Sequence, residues 1–165
     1  MKVSNEIVID LTKSLANVGE SVAFCGEFLP SENLLPYPQA QLVSVAVDFS
    51  VTFVKPDVLV QGEISCHVVG KCDRCLTDVD THVVLPFEQT FFKDKLEDGY
   101  TFEGSKLDAT KAVQDEIVLS LPTLLLCSPE CKGLCPNCGV NKNTTECDCD
   151  TRKDSPFSQL LNLKF

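Results

Sequence analysis

Arginine and histidine are scarce in this chain of 165 residues: Arg74 and Arg152 are its only arginines, His67 and His82 its only histidines. Asp and Glu number 24 against 14 Lys and Arg, leaving a net charge of −10. A polyanion repels another polyanion, so the charge disfavours a broad phosphate-binding face, and a basic partner is the better electrostatic match. Catalytic signatures are also missing. There is no phosphate-cradling G-x-x-x-x-G-K-S/T, no G-x-S-x-G elbow and no H-E-x-x-H. Neither histidine is paired with a nucleophile, and no two carboxylates stand in a recognisable acid–base arrangement, so the chain is expected not to be an enzyme. The longest apolar run, 117–127, is broken by Ser120, Pro122 and Thr123 and is too short to cross a bilayer. The opening MKVSNEIVIDLTKSL has no basic stretch followed by an apolar one. It carries Glu6 and Asp10 but no arginine, unlike a secretory or organellar leader. These absences predict a cytoplasmic protein, in a compartment where thiols stay reduced and clustered cysteines are read as metal ligands.

Cysteine, by contrast, is abundant. Six of the ten cysteines fall within 127–149, at the spacing C-x3-C-x3-C-x2-C-x8-C-x-C. Gly133, Pro136, Asn137, Gly139, Asn141 and Asn143 lie among them, all turn-favouring residues, and no hydrophobic periodicity could hold the segment in one shape. Convergence of thiolates on a metal could. In Cys135-Pro136-Asn137-Cys138-Gly139, two intervening residues let both sulfurs face one ion, and the following glycine accepts the tight backbone. Cys147 and Cys149 can complete a set of four. All-sulfur coordination suits Zn2+ better than calcium or magnesium. The expected ligands are therefore Cys135, Cys138, Cys147 and Cys149, with Cys127, Cys131, Cys72 and Cys75 as alternatives. A disulfide framework and an iron–sulfur cluster are the competing uses of such a segment.

The rest of the chain carries a strand pattern. Residues 6–10 predict a short strand, Asp10 a cap for a brief helix through Leu11 and Leu15, and 21–28 another strand, before a proline-containing loop at 31–40. Val43, Val45, Val47, Phe49, Val51 and Phe53 then alternate with mostly polar neighbours, as half-buried strands do. Lys55-Pro56-Asp57 makes a turn. Val58, Val60, Ile64 and Val68 continue the pattern, followed after GKCDRCLTD by Val79, Val83, Leu85, Phe87 and Phe91. Such long strands should bend or coil toward a barrel, with Gly62 and Pro86 as bulge or edge positions. Asp108 is placed to cap a helix near 108–121 that covers one face of the sheet, and Ser155-Pro156 to start a short C-terminal helix. The expected architecture is α+β: an antiparallel β-meander, bent or barrel-like, with a covering helix and a small C-terminal zinc-binding segment. The boundary is placed between a mainly β domain, 1–126, and the cysteine-rich segment, 127–165. No repeat is visible.

Cys72-Asp73-Arg74-Cys75 lies in the connection between two long strands. A thiol redox pair needs a strand-to-helix context, so metal binding suits this position better, either through a bridge to Cys127 or Cys131 or as half of a site shared with Cys135 and Cys138. Arg74 and Arg152 each adjoin a cysteine motif and are the candidates for contact with rRNA or a partner. His67 and His82, about equally far from the CDRC turn, read as ordinary strand histidines.

The ordered set of CDRC, a helix ending in L-S-L-P, then CSPECKGLCPNCG and a closing C-D-C resembles the YceD family over residues from about 40 onward, most closely its Gram-positive type. Cys72, Arg74 and Cys75 match its central motif. Cys127, Cys131, Gly133, Leu134, Cys135, Cys138, Gly139 and Asn143 match the later one. Asp150-Thr151-Arg152 stands where the family often has D-P-R, and Lys142-Asn143 where it usually has Leu-Asn. The resemblance implies a role in large ribosomal subunit biogenesis, supporting accumulation of large-subunit rRNA. Family members' genes commonly adjoin that of a small zinc-ribbon ribosomal protein. An acidic chain fits such a basic protein, within a precursor of the large subunit, better than it fits bare rRNA. Two other classes of reading are a thiol redox protein using Cys72 and Cys75, and a zinc-dependent nucleic-acid-binding module.

Overall fold

A computed structural model describes residues 5–29, 34–35, 39–94 and 99–149. The elements in order are β1 (Val8–Asp10), α1 (Thr12–Ala16), β2 (Ser21–Phe28), β3 (Gln41–Val54), β4 (Asp57–Lys71), β5 (Asp78–Phe92), β6 (Tyr100–Thr101), β7 (Lys106–Asp108) and α2 (Thr110–Ser120). The chain divides into two compact units. One comprises Met1–Gly70 with Asp80–Thr123, the other Lys71–Val79 with Leu124–Phe165. The proposed C-terminal helix, Ser155, Pro156 and Arg152 lie outside the described residues.

The first unit is built on a five-stranded sheet of order β2-β3-β4-β5-β6. Alternation explains it: Val45, Val47, Phe49 and Val51 on β3, Val58, Val60, Ile64, Cys66 and Val68 on β4, and Leu85, Phe87 and Phe91 on β5 are all buried. Phe49 and Phe87 stack with ring centroids 4.8 Å apart. Full burial of side chains of this size contributes about 1.5–3 kcal/mol each. Val43 breaks the pattern and is 45% exposed, because the β3–β4 register shifts between Leu42 and Ser44 and turns it outward.

The sheet is open, and the barrel-like alternative does not hold. β2 and β6 end the strand order, and the two-residue β6 pairs only with Phe91 and Phe92, in parallel rather than as another meander strand. Beside Pro86 the outer edge of β5 has no partner strand among the described residues, which suits a residue without an N–H. Gly62 is not a bulge. It pairs in register with Phe49, and a Cβ built there would lie 2.0 Å from the Asp48 carbonyl oxygen.

β1 and β7 form a separate antiparallel ribbon. The caps expected of Asp10 and Asp108 fall one residue later, at Leu11 and Ala109, which have no side-chain cap; each aspartate instead accepts a backbone N–H two residues on, Asp10 Oδ1 from Thr12 and Asp108 Oδ1 from Thr110, both at 2.9 Å. The α2 helix buries Ala112, Val113 and Ile117 and is tied to β6 by the Tyr100 hydroxyl donating to Asp115 Oδ2 at 2.8 Å. No described helix is long and apolar enough to cross a membrane.

Candidate metal centres

The second unit has little apolar alternation and is organised by sulfur. Its ligand-bearing turns are two copies of one backbone device. In the first, the Leu76 N–H donates to the Cys72 carbonyl at 2.9 Å, and the Cys72 N–H to the Thr77 carbonyl at 2.8 Å. In the second, the Gly139 N–H donates to Cys135 and the Cys135 N–H to Val140, both at 2.8 Å. Each turn places a left-handed residue directly after its second cysteine: Leu76 at φ 59° and Gly139 at φ +73°. Glycine adopts that region freely, whereas a residue with a Cβ pays about 1–2 kcal/mol. The recurrence is thus structural, and its trace in the sequence is only CDRCL beside CPNCG.

These turns support two tetrads. Cys72, Cys75, Cys127 and Cys131 have sulfurs all within 4.8 Å of one another, and so do Cys135, Cys138, Cys147 and Cys149. The four expected ligands are brought together, and the four alternatives form a separate set of their own. In the first tetrad the Cys72–Cys131 sulfurs are 3.8 Å apart and the Cys75–Cys127 sulfurs 3.5 Å. Four sulfurs about 2.3 Å from one tetrahedral ion stand about 3.8 Å from each other. A disulfide would hold its pair at about 2.05 Å. The spacing therefore fits thiolates around one ion, and all ten cysteines are free thiols.

The surrounding donors prepare the sulfurs for that role. Thr77, through its hydroxyl and its backbone, holds the Cys75 thiol well down, at about 6. The N–H groups of Cys138 and Asn137 bring Cys135 to about 6 as well. Burial pushes Cys72 up, but the backbone groups of Cys127, Arg74 and Cys75 outweigh it and the net shift is downward. Their neighbours keep protons instead: Cys127 is pushed up to about 11 beside Cys75 and Cys131, and Cys149 to about 12 beside Cys138. Each tetrad thus contains a sulfur already favoured as thiolate and others that would release a proton to a metal.

Hydrogen bonds from turn residues fix the frame. Asp73 exchanges bonds with Leu125, its N–H donating to the Leu125 carbonyl at 2.8 Å and its Oδ2 accepting the Leu125 N–H at 2.6 Å. The Leu134 N–H donates to the Arg74 carbonyl at 3.0 Å, and Gly133 passes so close that a Cβ would stand 3.1 Å from that oxygen. Arg74 Nη1 donates to the Cys131 carbonyl at 3.1 Å, giving this arginine a local task beside the first tetrad. Asn143 accepts the Lys132 N–H at 2.8 Å and donates to Cys131 Sγ at 3.4 Å. The sequence marks Asn143 as a turn former and as a match to the family motif, but not as a partner of a ligand. Its distance of 12 positions from Cys131 leaves no local signal that it supports a ligand.

A family model described as "Large ribosomal RNA subunit accumulation protein YceD" matches residues 60–164. Uncharacterized proteins of Mycobacterium tuberculosis and Mycobacterium leprae are 34% and 32% identical over 102 and 106 residues, covering 57% and 59% of this chain and 49% and 48% of the relatives. An Arabidopsis thaliana protein, the chloroplastic large ribosomal RNA subunit accumulation protein YCED homolog 1, is 23% identical over 169 residues, covering 81% of this chain and 52% of its own. The chain spans about half the length of these curated relatives. No solved structure matches it.

Proposed function

The chain belongs to the YceD family, described as large ribosomal RNA subunit accumulation proteins, and from that premise we propose that it is a non-catalytic factor in large ribosomal subunit biogenesis. Its two cysteine tetrads each hold a structural Zn2+. The observation that carries the structural reading is that both tetrads are closed sets of four sulfurs, leaving no open coordination position for a substrate. Zinc in such a cage supplies folding free energy to a unit that has little apolar core.

The partner in this proposal is a basic ribosomal protein of the large-subunit precursor, met in the cytoplasm. Support comes from the net charge of −10 and from Glu27, Asp48, Glu63, Asp80 and Glu88, all exposed on one face of the sheet. Two Zn2+ ions in eight thiolates would add further negative charge. Arg74 and Arg152 remain the sites for any local phosphate contact.

Depleting the protein should lower mature large-subunit rRNA relative to small-subunit rRNA. The purified protein should bind basic large-subunit proteins more tightly than naked rRNA, with added salt acting mainly on the association rate. An unchanged rRNA ratio after depletion would remove the biogenesis role. Tight binding to bare rRNA at physiological salt, with no binding to basic ribosomal proteins, would remove the partner. Thiol redox use of Cys72 and Cys75 is separated by alkylation: in zinc-loaded protein both should be protected, whereas a redox pair would react.

A further inference from the structure

Besides the sulfur tetrads, the described residues hold a third group of side chains of metal-ligand type, on the solvent face of the sheet. His67 on β4 and Asp80 and His82 on β5 have ligand atoms all within 4.8 Å of one another. His67 Nε2 is 2.8 Å from Asp80 Oδ1, and the two imidazole rings are stacked with centroids 4.3 Å apart and planes inclined by 16°. Asp80 and His82 are two positions apart on one strand, so they project from the same face, and His67 faces them from the other strand. Neighbouring strands thus fix the three side chains in a triangle.

We propose that His67, Asp80 and His82 form a further cation site, chemically distinct from the cysteine tetrads, for a borderline divalent transition-metal ion such as Zn2+ or Ni2+. Two imidazoles and one carboxylate favour that class over calcium and magnesium, which prefer all-oxygen sets. Ligands about 2.0–2.2 Å from a tetrahedral ion stand about 3.3–3.6 Å apart. The three ligand atoms, within 4.8 Å of one another, have to draw together and the stacked rings to turn toward the ion to reach that spacing. Binding gives up the His67–Asp80 hydrogen bond for two metal bonds, a neutral His67 ring keeping its one proton on Nδ1 while Nε2 faces the ion. Asp80 is 72% exposed, so the fourth position opens to water rather than closing as in the tetrads.

The chain has only two histidines, and both belong to this site, so imidazole NMR reports on it alone. The full-length chain, first given Zn2+ sufficient for its cysteine tetrads, is titrated with further Zn2+ while the ring nitrogens are observed. Both rings should shift together and saturate at one added equivalent in the micromolar range. His82→Gln and Asp80→Asn should each weaken binding by at least the roughly 10–100-fold lost with a supporting group of a metal site. Backbone amide spectra of the variants confirm an intact sheet. Rings that shift independently, fail to saturate below millimolar Zn2+, or titrate as in the wild type after His82→Gln would overturn the proposal. The readout comes from nitrogen ligands alone, so failure here is distinguishable from failure of the cysteine tetrads to take zinc.

Discussion

The two units of the molecule solve the same problem with different chemistry. The sheet unit gains its stability by removing alternate Val, Ile, Leu and Phe side chains from water, many small contributions spread over three long strands. The cysteine unit instead gathers eight sulfurs into two groups of four on the turns that aim them, and in the proposal made above its stability rests on the ions they hold. A distributed core tolerates a local loss, whereas a coordination centre loses its metal with one ligand.

The largest break in that contrast should come from metal removal. Structural zinc contributes about 10–16 kcal/mol of apparent binding free energy in small domains. Chelation of loaded protein, or Cys72→Ser or Cys138→Ser, should therefore release metal and strip hydrogen-exchange protection from 71–79 and 124–149. Protection across 41–69 should persist. A metal-free preparation with full protection at 124–149 would show that the cysteine unit holds itself by other means.

Next in size, Phe49→Ala should destabilise the sheet by about 3–5 kcal/mol in denaturant titration. The folded variant should retain the wild-type metal content. Gly62→Ala should cost about 1–3 kcal/mol or more, since its methyl meets the Asp48 carbonyl and the strands must part. The smallest effect sharpens the comparison of the two turns. Gly139→Ala should weaken metal retention against a competing chelator by about 1–2 kcal/mol, and Leu76→Gly should leave it equal or up to about 1 kcal/mol stronger. Equal losses in both variants would mean that the turns are not the same device.

The sheet was readable because burial has period two on a strand. Val45 through Val51 and Leu85 through Phe91 announce themselves without reference to distant residues. What was not readable depended on pairing. Val43 follows the pattern but is turned out by a register shift, and β6 joins β5 in parallel through only two residues. In the cysteine unit, residue type and spacing identify soft ligands and single out CPNCG with CDC. The partnership of Cys72 and Cys75 with Cys127 and Cys131 is a long-range fact that spacing can offer only as an alternative. His67 and His82 carried one hint, their similar distance from the CDRC turn, which places them as near neighbours across a hairpin.

The span of the first tetrad has a consequence for timing. Cys72 and Cys131 are 59 positions apart, while Cys135 to Cys149 covers 14. Each doubling of a flexible loop costs about 0.6 kcal/mol, so in an unfolded chain the long closure is about 1.2 kcal/mol harder. Folding of the strands between its two halves removes most of that slack. The second tetrad can fill from a local coil, but the first fills readily only after the intervening chain has folded. Metal uptake at Cys72 and Cys131 is therefore expected to lag uptake at the second tetrad until β5, β6, β7 and α2, the elements between its two halves, have formed.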